Sequence, residues 1–429
     1  MTPGGTGWLF AISVSRVGAY MIYIAYAATL PVLQREWHLS GTAAGSIASA
    51  FQLAYAVSLM ASSELADRIG ARRVFLIGTA ASALGTVAFA AFARDYWTGL
   101  ALYTLLALTL GGTYTTGILL VAENVPMVRR GRAMGTYIAG HSLGLALALA
   151  LTGFALPRGG YVLAFWLFAL GPLVGGTLAW LATRATANVV TPRASGARFA
   201  SAVLKNRPAM LVTAGYAFHS WELLGMWAWT PAFLAACFVA AGAELTRGAG
   251  LGAYIASLFH VTGTLASVVA GVLADRLGRT PVIFTMASVS AACSLTFGWL
   301  LGAPLGLVIV VGLLYGFTAL GDSPIYSTAI TEVVPAAYRG SALALRSLLG
   351  YGAGAAAPLV FGVILDWHDA RTVGAWGWAF VSLGIAGIGA VFSVVFLHRM
   401  PDAAVLRRDR LRPAKPAAAT PVSNDPDAG

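Results

Sequence analysis

The chain has 429 residues, of which 58% are hydrophobic and 10% are charged, and its net charge is +11. An ordinary soluble domain is about 25% charged, so this composition excludes that class and predicts a surface that faces lipid. The basic residues lie in short segments between long apolar runs, which indicates membrane topology rather than nucleic-acid binding.

Twelve apolar runs follow one another along the chain, each near the roughly 20 residues that cross a bilayer. If the N-terminus is cytoplasmic, the cytoplasmic segments hold 20 of the 27 Lys and Arg residues, which predicts that both termini are cytoplasmic. The runs predict an all-α membrane protein with spans near residues 8–33, 42–62, 74–93, 98–122, 133–155, 161–182, 210–236, 251–272, 281–301, 305–329, 341–365 and 376–397.

The first run contains Arg16, a charge that is costly inside a membrane and is therefore a candidate functional residue. Tyr20 and Tyr23 follow at spacings of four and three, which place all three side chains on one helical face. A guanidinium suits a carboxylate because its planar fork donates two parallel hydrogen bonds. This face is a predicted site for an anionic group.

Charged loops follow the second and fourth runs, and the fifth run carries the small-residue pair Gly140 and Gly144. The loop sequences are Ser63-Glu-Leu-Ala-Asp67-Arg68-Ile-Gly70-Ala-Arg72-Arg73 and Glu123-Asn-Val-Pro126-Met-Val-Arg129-Arg130-Gly131. The sixth run ends in a polar, arginine-rich segment. We predict an N-terminal unit at residues 1–182, a cytoplasmic linker at 183–208, a C-terminal unit at 209–398 and a disordered tail at 399–429.

The seventh and eighth runs carry further polar candidates. His219, Glu222, Met226 and Trp229 form a polar-to-aromatic stripe on the seventh run, and His260 lies in the eighth. Glu222 lies near the middle of its run with no basic residue in the same helix. A carboxylate in an apolar cavity changes charge readily, so Glu222 is the first candidate for a coupling proton.

The tenth run adds Asp322 and Tyr326 on one face, and the eleventh adds Arg346. Asp322 is the second candidate for the coupling proton, and Arg346 and Tyr326 are candidates for binding a solute. Both charges lie within about two turns of the cytoplasmic ends of their runs. They therefore allow an alternative interpretation, a neutral structural pair, because burying two opposite charges together costs less than burying one.

Three features of the first half return in the second half at nearly constant spacing. The Asp67 loop returns 208 residues later as Gly271-Val-Leu-Ala-Asp275-Arg276-Leu-Gly278-Arg279. The Glu123 loop returns 209 residues later as Glu332-Val-Val-Pro335-Ala-Ala-Tyr338-Arg339-Gly340, and the glycine pair returns 210 residues later as Gly350 and Gly354. One spacing shared by three features indicates a duplicated six-helix unit.

The two Leu-Ala-Asp-Arg-x-Gly loops resemble the signature loops of the major facilitator superfamily, and the topology extends this resemblance over the whole chain. The resemblance implies two six-helix bundles around a cavity that opens alternately to each side. It also implies that spans one, seven and ten line the cavity. In the family, the loop charges latch the cytoplasmic side, which points here to Asp67, Arg68, Arg72, Glu123, Arg130, Asp275, Arg276, Arg279, Glu332 and Arg339. The alternative is that these charges only anchor loop ends.

The chain also departs from the family pattern. Ser63 stands where the first signature glycine is expected, and span four has no arginine near Thr104. Leu145 follows Gly144 where the antiporter motif of drug exporters has proline. These departures favour other subfamilies over drug and proton antiport.

We therefore expect a secondary active transporter that moves a small organic anion and is coupled to protons, not an enzyme. Drug or toxic-metabolite efflux and a transporter-like receptor without net flux are the alternatives. The chain has no phosphate loop and no Cys/His cluster with metal-ligand spacing, so we expect neither cofactor nor metal. Protons, membrane lipid and the solute are the expected partners of a monomer in a bacterial inner membrane.

Overall fold

A computed structural model describes residues 1–190, 203–335 and 338–407. These residues are almost entirely helical, and no β-strand occurs among them. The α-helices are α1 (Thr6–Met21), α2 (Ala25–Glu36), α3 (Gly41–Ile69), α4 (Ala71–Phe92), α5 (Tyr96–Asn124), α6 (Met127–Thr183), α7 (Arg207–Ala240), α8 (Leu245–Leu277), α9 (Arg279–Phe297), α10 (Leu305–Gly321), α11 (Ser323–Val333), α12 (Arg339–Trp367) and α13 (Val373–Arg399).

Eleven helical stretches of the described chain are long and apolar enough to cross a membrane. One of them, Arg132–Thr183, has 52 residues, far more than one crossing needs. Within it the backbone leaves the helical conformation at Gly159 and Gly160, and Gly160 has a φ of +62°. Thus α6 consists of two crossings joined at this turn, and the predicted all-α fold of twelve spans is confirmed.

Large apolar side chains cover the outside of the bundle. Phe10, Leu84 and Val268 are 69%, 72% and 64% exposed. Trp97 and Trp367, each near the end of a crossing, are 73% and 78% exposed, and tryptophan is enriched at membrane interfaces. Lipid is the solvent in which such a surface is favourable, so the chain is an integral membrane protein.

Two crossings are interrupted near their middle. The first consists of α1 and α2, joined by a 3-10 segment at Ile22–Ile24. The tenth consists of α10 and α11, which meet at Asp322. A helix break is tolerated inside a membrane only where protein or a cavity surrounds it. Both breaks therefore face the interior of the bundle and bring Tyr23 and Asp322 into it.

The two signature loops have the same backbone shape. Gly70, between α3 and α4, has a φ of +95°, and Gly278, between α8 and α9, has a φ of +96°. Each donates its N–H to the carbonyl four residues earlier, that of Ala66 or Ala274. Side chains are strained at this φ, so glycine at both positions is what allows each pair of crossings to turn so tightly.

The two halves pack together at the membrane face opposite the chain termini. A Cβ on Gly41 would lie 2.4 Å from the carbonyl oxygen of Gly362, and one on Gly45 would lie 2.3 Å from that of Pro358, so α3 touches α12 through backbone. In the first crossing, α2 packs against α7 and α8, whereas α1 packs against α4, α5 and α6 of its own half. The contacts between halves are thus concentrated at the face away from the termini.

The C-terminal segment is folded further than the sequence predicts. Pro401–Leu406 forms a 3-10 segment in which Ala403 and Leu406 are buried, and Arg407 forms an isolated β-bridge with Gly278. The tail predicted to be disordered from residue 399 is therefore ordered as far as Arg407. Residues 408–429 of that tail and residues 191–202 of the predicted linker lie outside the described residues.

Candidate functional site

Arg16 is buried in the middle of the first half. Its guanidinium carbon lies 4.4 Å from the centre of the Tyr20 ring, 4.7 Å from that of Tyr114 and 4.9 Å from that of Tyr137. In the described part of the chain, Nε and Nη1 of Arg16 have no hydrogen-bond partner. Buried donors are nearly always bonded, and a guanidinium bonds best to a carboxylate or phosphate. The geometry therefore fits an anion that Arg16 would hold beside three phenol rings.

The glycine pairs on the fifth and eleventh crossings allow this close packing. A Cβ on Gly140 would lie 3.4 Å from the Arg16 side chain, and one on Gly144 would lie 2.5 Å from the carbonyl oxygen of Val17. In the second half, a Cβ on Gly350 would lie 2.4 Å from the Tyr216 ring. The repeated pairs thus bring a neighbouring helix close in each half.

Arg346 is the second buried guanidinium. It lies over the Tyr216 ring at 3.9 Å, and its Nη1 donates to Ser327 Oγ at 2.7 Å. Its Nε has no partner among the described residues. The alternative of a neutral Asp322–Arg346 pair is wrong for this structure, because the ion-pair contact of Asp322 in the described chain is with His219.

His219 meets Asp322 between crossings seven and ten. His219 Nδ1 lies 3.1 Å from Asp322 Oδ1, but that oxygen has no partner by hydrogen-bond geometry. The two groups are therefore in electrostatic contact without a well-aligned hydrogen bond. The Tyr326 ring lies 5.7 Å from the His219 ring, and its hydroxyl has no described partner. The structure therefore brings these three predicted residues together.

Glu222 points into the second half rather than toward the first. Its Oε1 accepts a hydrogen bond from Ser290 Oγ of α9 at 2.8 Å. Its Oε2 lies 2.7 Å from the position that a Cβ on Gly387 of α13 would occupy. The carboxyl group is therefore enclosed by helices of one bundle, and glycine at 387 makes room for it.

Trp229 also packs inside the second half. Its Nε1 donates to the carbonyl of Pro358 at 3.0 Å, and its ring stacks on Phe361 at 5.1 Å. The predicted stripe of His219, Glu222 and Trp229 is thus divided among three neighbours, and the structure does not bring these side chains together. Trp227 is the tryptophan at the contact between halves, with its ring 6.2 Å from that of Tyr23.

Tyrosines that the sequence did not single out complete the centre of the bundle. The hydroxyls of Tyr20 and Tyr55 are 2.6 Å apart, and the hydroxyl of Tyr23 donates to Gln52 Oε1 at 2.7 Å. The Tyr55 ring lies 5.4 Å from that of Tyr351, which belongs to the other half. The residues missed by sequence reasoning share one signal, a tyrosine within a predicted span. They are Tyr55, Tyr114, Tyr137, Tyr216 and Tyr351.

The loop charges of the second half form a compact cluster at the terminal face. Arg279 Nη1 lies 2.5 Å from Asp275 Oδ1, and its Nη2 lies 3.0 Å from Glu332 Oε1. Arg339, predicted to join Glu332, instead donates from Nε to the carbonyl of Thr331 at 2.8 Å. Arg276 is exposed beside this cluster.

In the first half, Arg68 pairs with Glu64 on the same helix. Arg72 donates to the carbonyl of Thr183 at 2.7 Å, and Arg130 donates to that of Val125 at 3.2 Å. These contacts lie within one half, as do those of Arg279. Asp67 also has a contact in the structure, and Glu123 is exposed. No group of His, Cys, Asp or Glu in the described ranges has the arrangement of a metal site.

The sequence and the fold are both similar to those of known proteins. The sequence model of the Major Facilitator Superfamily matches residues 10–246 and 238–426. The chain is 25% identical to the gallate transporter of Pseudomonas putida over 91% of this chain and 89% of that protein. It is 26% identical to the cis,cis-muconate transport protein of Acinetobacter baylyi over 88% and 90%. The crystal structure of a D-xylose-proton symporter superposes with a TM-score of 0.72 at 17% identity, covering 92% of this chain and 99% of that one.

Proposed function

Because the chain belongs to the Major Facilitator Superfamily and is a membrane transporter of small organic solutes rather than an enzyme, we propose that its solute is an organic anion moved by secondary active transport. The two halves would expose the central site to each side of the membrane in turn. The carboxylate of the solute would be held by Arg16.

The two unpartnered nitrogen atoms of the Arg16 guanidinium, Nε and Nη1, are the observation that carries this proposal. A buried charge costs several kcal/mol unless it is paired, and among the described residues Arg16 has aromatic faces around it but no ion-pair partner. A solute carboxylate supplies both the countercharge and the acceptors for Nε and Nη1. The relatives named for gallate and for cis,cis-muconate transport carry anions in their names, which supports the same solute class.

Arg346 is the second cationic group in this proposal. It belongs to the other half, and the rings of Tyr55 and Tyr351 are in contact across the two halves. A solute with two polar ends would then touch both halves at once. The Tyr216 ring, over which Arg346 lies, also neighbours two other predicted residues. Its centre is 5.6 Å from that of the His219 ring and 6.0 Å from that of the Tyr326 ring.

We propose proton coupling through the two buried carboxyl groups. Glu222 accepts a hydrogen bond from the Ser290 hydroxyl and is also in contact with the Tyr315 side chain, and no salt bridge of Glu222 occurs among the described residues. Asp322 has the imidazole of His219 in electrostatic contact, with Nδ1 3.1 Å from Oδ1. A carboxyl group in either place would bind a proton when the cavity opens to one side of the membrane and release it when the cavity opens to the other. This exchange would link the transport cycle to a proton gradient.

The conformation supports a role for the loop charges in gating. The halves touch at the face opposite the termini, while Arg279, Asp275 and Glu332 pair inside one half. We propose that Asp67 and Asp275 take partners across the halves when the terminal face closes. Arg68, Arg72, Arg130, Arg276 and Arg339 would supply the positive charges of that latch.

We propose that the protein acts as a monomer in a bacterial inner membrane with both termini in the cytoplasm. Residues 1–182 and 209–398 would be the two bundles that move against each other. The excess of basic residues on the terminal side supports this orientation.

The test of the anion proposal is transport by purified protein in liposomes. Wild type is expected to exchange radiolabelled gallate or cis,cis-muconate across the membrane, with each competing against the other. Lipophilic cations at the same concentration are expected not to compete. Transport of cations in place of both acids would overturn the proposal and favour an exporter.

A further inference from the structure

A small cavity lies beside Trp227, next to the contact between the two halves. Its volume, measured as the space open to the centre of a water molecule, is about 10 Å³, which is room for roughly one water. The wall carries three polar side chains, Trp227, Thr230 and His260, and is otherwise apolar. No carboxylate or guanidinium lies among the residues that form this wall.

All three polar side chains of the wall have an atom without a partner. Trp227 Nε1, Thr230 Oγ1 and His260 Nδ1 are buried and make no hydrogen bond with any described residue. The residues are 9%, 5% and 4% exposed. Buried polar atoms are unpartnered only rarely, and each costs about 1–3 kcal/mol if left so. Three of them around one cavity indicate that an oxygen-bearing ligand group belongs there.

Thr230 differs from the other buried threonines in a way that supports this. Thr213, in the same helix, donates its hydroxyl to the carbonyl of Ala209 at 2.8 Å, the usual bond of a helical threonine. Thr230 makes no such bond, so its hydroxyl is available to the cavity. Pro231 follows it and has no N–H to give to the carbonyl of Trp227, so the helix lacks its usual backbone bond at this point.

A neighbouring cavity provides a comparison. It shares Ile24 and Trp227 with the first cavity and has a volume of about 20 Å³ by the same measure. Its tyrosine hydroxyls are bonded within the protein. Tyr23 donates to Gln52, and Tyr26 and Tyr103 donate to the carbonyls of Ala44 and Tyr23. The tyrosine hydroxyls of this second cavity are therefore satisfied within the protein, whereas Thr230 and His260, which line the first cavity and not the second, keep unpartnered atoms.

We propose that the Trp227–Thr230–His260 cavity is a subsite for one uncharged hydroxyl or carbonyl oxygen of the transported anion. The indole N–H can only donate, whereas the threonine hydroxyl and the histidine nitrogen donate or accept, so a hydroxyl satisfies all three. The absence of a charged wall residue excludes a second carboxylate. This inference rests on the proposed function, because Arg16 would hold the carboxylate.

The distance along the first crossing fits such a solute. Ile24, which lines the cavity, lies eight residues after Arg16, about 12–14 Å along a helix axis that includes the 3-10 segment Ile22–Ile24. That is the length of a single-ring acid with one hydrogen bond at each end. The side chains between are rings: Tyr20 lies 4.4 Å from His141, and His141 lies 5.8 Å from Trp227. A planar acid with a hydroxyl opposite its carboxylate is thus the solute class that the two sites select together.

The test compares the binding of 4-hydroxybenzoate with that of benzoate by calorimetry on the purified full-length protein. Wild type is expected to bind the hydroxylated acid about tenfold more tightly, the effect of one well-made hydrogen bond network. Thr230→Val keeps the shape and removes the hydroxyl, so the ratio is expected to fall to about two or below while the benzoate affinity is retained. His260→Phe is expected to reduce the same ratio.

Thr213→Val is the matched control, because its hydroxyl is bonded inside the same helix, and its ratio is expected to equal that of wild type. Equal ratios in wild type, Thr230→Val and His260→Phe would overturn the subsite and leave a cavity that holds water only. If wild type binds neither these acids nor gallate nor cis,cis-muconate, the anion proposal itself fails. The two failures are therefore distinguishable.

Discussion

The carboxylate of Asp366, at the end of α12, accepts a hydrogen bond from the backbone N–H of Gly41, at the start of α3, at 2.6 Å. The same carboxylate accepts from the N–H of Thr42 at 2.8 Å and from its hydroxyl at 2.6 Å. The first residues of a helix carry free N–H groups and partial positive charge. An acid of one half therefore caps a helix of the other, and this cap has to break when the face away from the termini opens.

Asp366→Asn is expected to shift the protein toward states that are open at that face, since the side chain loses its charge and one acceptor oxygen. The loss of a charged cap is worth about 0.5–2 kcal/mol, or roughly a twofold to thirtyfold change in the population ratio. Spin labels at Arg94→Cys and Arg371→Cys, with the native buried Cys237 and Cys293 replaced, would report the separation of the halves.

Asp369→Asn is the control for this experiment, because Asp369 is exposed in the following loop and accepts from the N–H of Arg371 rather than from the other half. Its distance distribution is expected to match that of wild type. A distribution unchanged in Asp366→Asn as well would show that the backbone contacts between Gly41 and Gly362 hold this face closed without the cap.

Arg16→Lys is expected to weaken the binding of the anion by about tenfold to a hundredfold. Lysine keeps the positive charge but cannot make two parallel bonds, and a hydrogen bond to a charged group contributes about 1.5–3 kcal/mol. Arg16→Gln removes the charge and is expected to abolish transport. Calorimetry and liposome exchange measure the two effects, and normal transport by Arg16→Gln would refute the anion proposal.

Glu222→Gln is expected to retain solute exchange and to lose accumulation driven by a pH gradient. Glutamine resembles the protonated acid and can still accept from Ser290, so the fold and the cycle persist while the charge change is gone. Counterflow without a gradient and uptake with an imposed gradient, in the same liposomes, separate these properties.

Asp322→Asn is the companion variant in that assay. If accumulation survives in Glu222→Gln and fails in Asp322→Asn, the proton resides at the His219 contact. Accumulation retained by both variants would indicate another driving ion or simple exchange.

Asp67→Asn and Asp275→Asn are each expected to bias the protein further toward opening at the terminal face, because each removes a carboxylate from the proposed latch. Distances between labels on the α3–α4 and α8–α9 loops would measure this. Asp402→Asn, in the C-terminal 3-10 segment, is the control. Distributions unchanged in both loop variants would mean that these charges serve only to anchor the loops.

The twelve crossings and the repeated loops are predictable from sequence because they depend on run length and local pattern. An apolar run of sufficient length crosses a bilayer whatever its neighbours are. The glycine after Asp-Arg-x indicates a tight turn, because its positive φ is strained for residues with a side chain. The approach of Tyr20 to Arg16 is predictable for the same reason, since a spacing of four residues places both on one face.

The partners of the other buried charges are not predictable in this way. His219, Glu222 and Trp229 share a stripe by spacing, but α7 is surrounded on all sides, so small angular differences direct them toward α11, α9 and α12. Which neighbour each side chain meets depends on how the helices are rotated against one another. Periodicity within one helix carries no information about that rotation.

The short segment after α13 offers a way to observe the working cycle from outside the helices. Leu406 is buried against the second bundle, Arg407 bridges to Gly278, and His398 bonds through Nδ1 to Thr280 Oγ1 at 2.7 Å. The loop that would rearrange at the terminal face is thus mechanically joined to the chain's last described residues. A fluorophore attached just beyond Arg407 would report that rearrangement as a change in its emission. A truncation before Pro401 would remove this connection and expose the apolar surface on which Ala403 and Leu406 pack.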